Sequence, residues 1–374
     1  MRIVNKAFGS VVAIALGLLL WASPGAAQNQ DLKEVGAALT VPVLTDYLWG
    51  TVTLAVVTNV APDDRILHIN VIDGKTWKEQ DFSCFVTASE TTLFRFVPLP
   101  EWKSEVHFEC TNPATLEPVE IWDTIDTDAG FMFVAVEDPI TGQTINENSI
   151  FGDATVINFV QGAAYSVGAV TFQGEDINAP GVGDRNYRFD GVEYSEFPAV
   201  LATNFISPTT GGRRGVGVTA ELILFTLDGT VGGGIDMLGP AANFSITFYD
   251  DDERHFSSSW LFCCFDIVDL ETIDSRFNRD TLGSVAGHMF MEPQIQQQPD
   301  PNHDFLYDGG IGYDGMRRTP VHGWLVQTVF HTFKVYPDGP PMALSRAAWG
   351  RTLNQSTTAL VPSVGDVPTL ATNQ

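Results

Sequence analysis

A polar segment near residue 300 holds the oxygen-bearing side chains whose spacing comes nearest to a metal site. Oxygen ligands recur at positions 1, 3, 5 and 9 of this segment, which are Asp300, Asn302, Asp304 and Asp308. Two positions depart from a calcium loop: Phe305 replaces the turn glycine, and Ile311 replaces the bidentate acid. The segment predicts a calcium site, with a solvated acidic loop as the alternative.

Four cysteines form the second group that could do chemistry: Cys84, Cys110, Cys263 and Cys264. An even number favours disulfides in an oxidising compartment, and four cysteines allow three pairings. We favour a bond between Cys84 and Cys110, which lie at aromatic-flanked strand positions of one segment, and it would stabilise the fold by about 3 kcal/mol. Cys263 and Cys264 would point to opposite faces of a strand, so their pairing stays open. No C-x-x-C spacing indicates a redox or zinc site.

Tryptophan side chains offer a third kind of chemistry, because an exposed indole ring on a β-sheet can stack on a sugar ring. Trp77 and Trp260 lie in strand-rich segments and are our candidates for a carbohydrate site. The alternative is that both rings belong to the hydrophobic core, as most tryptophans of such domains do.

The remaining polar residues match no catalytic motif. The seven histidines form no H-E-x-x-H pair, and no G-x-S-x-G elbow is present. Paired carboxylates carry little information in a chain with 46 acidic residues. Whether the protein is an enzyme stays uncertain, and the sequence favours a non-enzymatic role. A hydrolase assembled from distant residues around the insertion 294–318 is a further hypothesis.

The net charge of the chain is −26, from 46 acidic and 20 basic residues. A surface this acidic repels phosphate backbones and anionic lipids, which excludes nucleic acid as a partner. The charge favours solubility in saline surroundings, or alternatively the binding of cations. An extracellular protein or a glycan is the kind of partner that fits.

The first 27 residues have the pattern of a secretory signal. Arg2 and Lys6 are followed by a short apolar core, Val11–Trp21, and by small residues before Gln28. No later stretch is long and apolar enough to span a bilayer as a helix. We therefore expect an extracytoplasmic protein: secreted, at the cell surface or periplasmic.

Short apolar or alternating runs, divided by Pro, Asp, Asn and Gly, follow one another from Leu39 onwards. This pattern indicates β-strands of a sandwich or barrel. A little helix is expected near Ser345–Trp349 and near Asp269–Arg276. The chain from Thr352 onwards is rich in Thr, Ser and Pro, which is typical of a flexible tail.

Two segments about 180 residues apart resemble each other: Ile69–Phe96 and Ile246–Phe277. Each begins with an alternating strand, turns at acidic residues, continues to an aromatic–Cys–Phe segment and closes on E-T-x-x-x-R-F. The similarity predicts a duplicated structural unit. Because the shared residues shape a turn and a strand, we expect the duplication to concern architecture rather than chemistry.

Several segments resemble a loosely defined family of exported bacterial β-rich proteins of unknown function. The matching stretches are Phe151–Val156, Gly162–Tyr165, Phe189–Tyr194, Phe248–Asp250 with the Cys263 segment, and Arg276–Gly283 with Gly287. The resemblance implies an extracytoplasmic β-rich fold and no catalytic residue. The doubled Cys263-Cys264 and the long insertion depart from the family pattern.

These observations predict an all-β protein of two tandem, related β-sandwich units, immunoglobulin-like or jelly-roll-like, after a signal peptide. The expected divisions are a signal peptide 1–27, unit 37–208, unit 209–350 with the insertion 294–318, and a tail 351–374. The expected function is that of an exported, non-enzymatic structural or interaction protein of the cell surface or a secreted matrix. The alternative is a carbohydrate-binding or carbohydrate-active β-sandwich protein.

Overall fold

The structure is a computed structural model that describes most of the chain between residues 34 and 353. The described residues are 34–76, 78–160, 162–175, 187, 189, 193–195, 197–209, 216–227, 241–263, 265–293, 321–333 and 342–353. Of these, about 65% lie in strands and 5% in helices, and the sheets are large and antiparallel. The prediction of an all-β protein is confirmed. The signal segment, the insertion 294–318 and the chain after 353 lie outside the described residues.

The chain up to Phe172 contributes eleven described strands to one antiparallel sheet, the first sheet. They are β1 (Ala38–Leu44), β2 (Thr51–Asn59), β3 (Arg65–Asp73), β4 (Glu79–Val86), β5 (Thr91–Leu99), β6 (Lys103–Thr111), β7 (Pro118–Ile125), β8 (Ala129–Glu137), β9 (Ile150–Asn158), β10 (Ala163–Gly168) and β11 (Val170–Phe172). Their order in the sheet is β10-β9-β2-β5-β6-β4-β3-β8-β1-β11, and β7 pairs with β6.

The first sheet folds back on itself between β6 and β4. The strands β10-β9-β2-β5-β6 therefore face the strands β4-β3-β8-β1-β11 across a hydrophobic core. Phe82 of β4 meets Phe108 of β6 edge to face, with ring centroids 5.5 Å apart. A Cβ atom on Gly152 of β9 would lie 3.3 Å from the Leu39 side chain of β1, so β9 and β1 also face each other closely. Alternation along each strand directs every second side chain into this core.

Few backbone contacts between described residues join the two groups of strands at their edges. β4 pairs with β6 at a single position, where Phe85 lies opposite Thr111. At the other edge the N–H of Gly36 donates to the carbonyl oxygen of Ile150 (2.8 Å), and Ile150 donates back (3.0 Å). The facing strands are therefore held together mainly by the side chains between them.

Two further sheets of four described strands each complete the fold. The distal sheet has the order β12-β17-β14-β15 and consists of β12 (Leu201–Ile206), β14 (Ala241–Asp250), β15 (His255–Cys263) and β17 (Ala286–Pro293). The central sheet has the order β16-β13-β18-β19 and consists of β13 (Val216–Thr226), β16 (Phe265–Asp269), β18 (Val321–Phe333) and β19 (Met342–Thr352).

The central sheet is buried on both faces. Along β13, Ile223 and Phe225 belong to the core of the first sheet, while Leu222 and Leu224 belong to a second core that they share with the distal sheet. Phe225 packs on Phe131 of β8, with ring centroids 5.3 Å apart. The central sheet thus stands between the first sheet and the distal sheet.

A short helical segment connects β16 to β17. It consists of α1 (Leu270–Ile273), a 3₁₀ turn (Ser275–Phe277) and α2 (Arg279–Leu282), so the helix expected near Asp269–Arg276 is present. The side chain of Asp274 caps the 3₁₀ turn by accepting the N–H of Arg276 (2.9 Å), and Gly283 ends α2 with a φ of 77°. The buried ring of Phe277 stacks on Phe248 of β14 at 3.9 Å.

The two segments that resemble each other in sequence agree in their first part and differ in their last. β3 with β4 and β14 with β15 are both antiparallel hairpins. The closing E-T-x-x-x-R-F residues are strand β5 in the first copy and the helical segment in the second. The hairpin is common to both segments, and the duplication of a larger unit stays a prediction.

Two local expectations have definite outcomes. The helix expected near Ser345–Trp349 is wrong, because these residues belong to β19, which pairs with β18 along most of its length. Among the described residues no helix has the length and hydrophobicity to cross a membrane. The predicted boundary at 208/209 stays a prediction; β12, which precedes it, pairs with β17, and all described residues lie in one compact unit, Leu32–Asn354.

Candidate functional site

The outward-facing side of β2, β5 and β9 carries aliphatic side chains where a solvated sheet face is normally polar. Alternation buries Thr53, Ala55 and Val57 of β2 in the core and turns the intervening residues outward. The outward aliphatic residues of the three strands, all of them half-buried or exposed, are Val52, Leu54, Val56, Leu93, Val97 and Ile157. We call this set the aliphatic face.

Strand register brings aliphatic residues of neighbouring strands together at two points of the aliphatic face, while Arg95, Asp153 and Thr155 lie beside them. Val56 lies opposite Leu93 of β5, and Val52 lies opposite Ile157 of β9. Directly opposed side chains in an antiparallel pair have Cβ atoms about 5 Å apart, close enough to contact. Leu93 and Val97 still expose 36% and 41% of their surface. The aliphatic face is therefore an apolar patch that the described residues leave uncovered.

An aromatic pair lies at one side of the aliphatic face. Leu54, Arg95, His107 and Trp122 follow one another across β2, β5, β6 and β7 in strand register. The Trp122 indole stacks on the His107 imidazole, with ring centroids 3.6 Å apart and an interplanar angle of 17°. Trp122 is 56% exposed while His107 is buried beneath it. The imidazole thus supports a large aromatic surface that faces solvent.

Hydrogen bonds fix the supporting imidazole on both sides. The Nδ1 atom of His107 lies 3.0 Å from the Nη1 atom of Arg95, and its Nε2 atom lies 2.7 Å from an oxygen of Glu120. A guanidinium group can only donate and an ionised carboxylate can only accept, so Nδ1 accepts and Nε2–H donates. These bonds hold Arg95 and Glu120 on the imidazole, and the ring stack holds Trp122 on it.

The rim of the face beyond Trp122 is acidic. Glu109 and Glu120, both exposed, lie directly opposite each other on β6 and β7, and Glu105 stands two residues before His107. Like charges directly opposed across a sheet are destabilising. Lys103 of the same strand is already paired, since its Nζ atom lies 3.0 Å from Asp126. An apolar centre, an exposed Trp, an Arg and a charged rim together resemble the composition of a protein interface.

A second aromatic surface lies on the outer side of the distal sheet. The Tyr249 ring stacks on His288 at 4.7 Å with an interplanar angle of 6°, and Phe290 meets both rings edge on. His255 lies on the other side of Tyr249, with ring centroids 6.1 Å apart. These rings are cross-strand neighbours, so they also stabilise the sheet directly.

Cys84 and Cys110 are the predicted site residues that the structure brings together. The pair lies at disulfide-bonding distance, with Cα atoms 5.5 Å apart, across the edge where β4 meets β6. This is the pairing favoured from the sequence. Cys263 ends β15, and Cys264 lies outside the described residues.

Trp260 is half-buried and packs against the second core. Its indole N–H donates to a carboxylate oxygen of Asp266 at 2.9 Å, which gives the ring a structural contact. Trp77 and the four predicted calcium ligands, Asp300, Asn302, Asp304 and Asp308, lie outside the described residues. Within the part of the chain that is described, no group of three or more His, Cys, Asp or Glu could hold a metal ion.

Sequence reasoning missed the aliphatic face, Trp122 and His107. The alternating run Thr51–Asn59 contained the signal, because its outward positions are Val and Leu rather than charged residues. Which alternate face meets the core is decided by the folding back of the sheet, and that is not visible in one strand.

No family model matches the chain, and a search of curated proteins finds no match.

Proposed function

We propose that this chain is an exported, non-enzymatic interaction protein of the cell surface or a secreted matrix, and that it binds a protein partner through the aliphatic face. The observation that carries the proposal is the run of aliphatic residues at the outward positions of β2, together with the outward Leu93 and Val97 of β5 and Ile157 of β9. Contiguous exposed apolar surface marks sites of protein association. The secretory pattern of the first 27 residues supports the extracytoplasmic location.

The charge around the face determines the partner's chemistry. Glu105, Glu109 and Glu120 form the rim, and the whole chain has a net charge of −26. A second copy of this chain would bring two strongly negative bodies together, which opposes self-association. The fitting partner is an extracellular protein that presents an apolar stripe flanked by Lys and Arg.

A defined peptide pair tests this partner chemistry. A synthetic peptide of alternating valine and lysine should bind, while its valine–glutamate counterpart should not, as measured by fluorescence anisotropy at low and high salt. Leu54→Thr with Leu93→Thr should weaken binding about tenfold or more, which corresponds to about 1.4 kcal/mol. Glu109→Lys should weaken binding through the rim charge.

The matched control is Leu261→Thr with Ile267→Thr, which removes two exposed aliphatic side chains outside the aliphatic face. It should bind the valine–lysine peptide like the wild type. Equal binding of both peptides, or equal loss in the control, would contradict the proposal.

Carbohydrate binding is the second candidate function, and the Trp122 arrangement is the observation that favours it. An exposed indole fixed on His107, beside Arg95 and Glu120, offers a stacking surface and hydrogen-bonding groups to a sugar. A glycan array should then show binding that Trp122→Ala abolishes. Trp102→Ala removes an indole that is 69% exposed elsewhere and is the control. An array without any bound glycan would exclude this candidate.

The division into two tandem, related sandwich units, 37–208 and 209–350, also remains our proposal. Two hydrophobic cores and the similar hairpins β3–β4 and β14–β15 support it. Residue Phe225 from the second unit lies in the first core, so the units would share the central sheet. Proteolysis that releases a stable fragment ending near 208 would favour independent units, whereas degradation without such a fragment would count against them.

Calcium binding at Asp300, Asn302, Asp304 and Asp308 remains a proposal with a direct test. Calcium that binds only the folded state should raise Tm with increasing concentration. Asp300→Ala with Asp304→Ala should remove that rise. If calcium leaves Tm unchanged, the segment is a solvated loop and not a calcium site.

A further inference from the structure

The most exposed apolar group of the first sheet lies at its end, in two adjoining turns. Tyr47, Leu48 and Trp49 lie between β1 and β2, and Phe159 and Val160 lie between β9 and β10. Their exposed fractions are 60%, 77%, 49%, 68% and 63% in that order. We call these five residues the apolar tip.

Backbone hydrogen bonds hold the two turns side by side. The N–H of Phe159 donates to the carbonyl oxygen of Gly50 (3.2 Å), and the N–H of Val160 donates to that of Trp49 (3.3 Å). Gly50 has a φ of 59°, a left-handed conformation that favours glycine. The five apolar side chains therefore project from one fixed backbone arrangement.

The Asp46 carboxylate stabilises the first turn through hydrogen bonds to its backbone. One oxygen of the carboxylate accepts the N–H groups of Leu48 (2.8 Å) and Trp49 (2.9 Å), and the backbone of Asp46 pairs with Thr51. The N–H groups of Leu48 and Trp49 therefore have partners while their side chains remain exposed. Such a turn can enter a less polar medium without leaving these donors unpaired, which would otherwise cost free energy.

The composition of the tip fits a lipid surface better than a protein groove. Trp and Tyr favour the headgroup region of a bilayer, and Leu, Phe and Val favour the acyl chains beneath it. No charged residue occurs in 47–50 or in 159–160, in a chain with 66 charged residues (46 acidic plus 20 basic). The side chains of two adjoining turns project into solvent together, which matches insertion.

We infer that the apolar tip inserts shallowly into the headgroup region of a zwitterionic lipid surface. The net charge of −26 restricts the choice of lipid, because anionic headgroups repel the body of the protein. Leu48 and Phe159, the two most exposed of the five, enter furthest. This contact is independent of the aliphatic face and of the protein partner proposed for it.

Vesicle flotation with the full chain tests the inference. The wild type should float with phosphatidylcholine vesicles, and adding phosphatidylserine should reduce flotation at low salt and less so at high salt. Leu48→Ser with Phe159→Ser should lower the bound fraction about tenfold, because both exposed apolar side chains are lost. Both side chains are exposed, so the Tm of this variant should match the wild type.

The matched control is Ile140→Ser, which removes a 92% exposed side chain from the turn after β8. It should float like the wild type. Absence of the wild type from phosphatidylcholine vesicles, equal loss in the control, or full flotation of the double variant would overturn the inference.

Two measurements separate this inference from other uses of the tip. Sedimentation velocity without vesicles should show a monomer; a dimer that Leu48→Ser with Phe159→Ser dissociates would make the tip a contact between copies and overturn lipid insertion. The Leu54→Thr with Leu93→Thr variant should still float, so that failure of peptide binding and failure of flotation are distinguishable.

Discussion

His322 is a single residue whose burial should govern part of the acid sensitivity of the fold. It lies in β18 beside Phe225, and burial lowers its pKa from 6.5 to about 4. The stability that comes from the neutral ring is fully present above pH 6.5 and is lost as the pH falls towards 4.

We therefore predict that His322→Phe makes unfolding less dependent on pH. The decrease in unfolding free energy from about pH 7 to about pH 4.5 should be smaller than in the wild type by about 2–3 kcal/mol. Urea unfolding at both pH values measures it. An unaltered pH dependence in His322→Phe would show that this histidine has the same pKa in the folded and unfolded states.

Glu221 is a second residue with a consequence for stability. Burial is the larger cause that raises the pKa of Glu221. The charge of Asp269, which lies opposite Glu221 in the central sheet, raises it further. Because the pKa of Glu221 is higher in the folded state, its protonated form contributes stability at pH values below the ordinary carboxyl pKa. This contribution is lost as the pH rises through the folded-state pKa.

Replacing this carboxyl group should therefore stabilise the protein at neutral pH. We predict that Glu221→Gln raises Tm near pH 7 by roughly 1–2 °C, equivalent to about 1 kcal/mol, and raises it less near pH 4. Thermal unfolding at the two pH values measures this. A lower Tm of the variant at pH 7 would mean that the carboxylate has a favourable partner.

Residue identity predicted some of these features and could not predict others. The Cys84–Cys110 pairing followed from two cysteines at aromatic-flanked strand positions of one segment. The stack of Trp122 on His107 did not, because the residues are 15 positions apart (122 − 107) and meet only through the register of β6 with β7. The pKa shifts of His322 and Glu221 also depend on burial, which one residue's sequence context does not reveal.

At the scale of elements, the 3₁₀ turn before α2 should be critical for the distal sheet. Its Phe277 is fully buried and contacts Phe248 and Phe205 of that sheet. We predict that Phe277→Ala lowers the unfolding free energy by about 3–5 kcal/mol, since a buried aromatic ring leaves a cavity. Urea unfolding measures the loss. Phe159→Ala, at an exposed ring, should change stability by no more than about 0.5 kcal/mol.

Local patterns predicted elements well where one face of a strand is polar, and poorly where tertiary pairing decides. Phe82–Val86 lies in β4, where Asp81 and Ser83 face outward on either side of the buried Phe82. Ser345–Trp349 contains two alanines and predicted a helix, yet pairing with β18 extends it as a strand. The E-T-x-x-x-R-F sequence forms a strand once and a helical segment once, so the four shared residues do not determine the structure of the segment.

At the scale of the whole molecule, the Cys84–Cys110 pair closes an edge that has one backbone pairing position between described residues. We predict that reduction of the wild type lowers the unfolding free energy by about 3 kcal/mol, because the cross-link restricts the unfolded chain. Urea unfolding with and without dithiothreitol measures it. The Cys84→Ala with Cys110→Ala variant should show no effect of the reductant. If dithiothreitol still lowers the unfolding free energy of this variant, the effect comes from other cysteines.

The arrangement of the sheets could be predicted only in part. Runs of short strands indicated an all-β protein and face-to-face sheets. Leu222–Phe225 of β13 is a continuous apolar run, which fits burial on both faces, but no feature of it says that its two faces meet different cores. The aliphatic face escaped prediction for the same reason.

Phe131 can be buried under Phe225 only after the chain beyond the first sheet has been synthesised. Residues 38–172 complete the first sheet before β13 and β18, which cover its outer side, have left the ribosome. At about 5–20 residues per second, the chain from Phe172 to Phe333 takes roughly ten to thirty seconds to appear. Until β13 has emerged, the nascent protein displays Phe131 to its surroundings, and a chaperone that holds emerging chains would have this ring to bind.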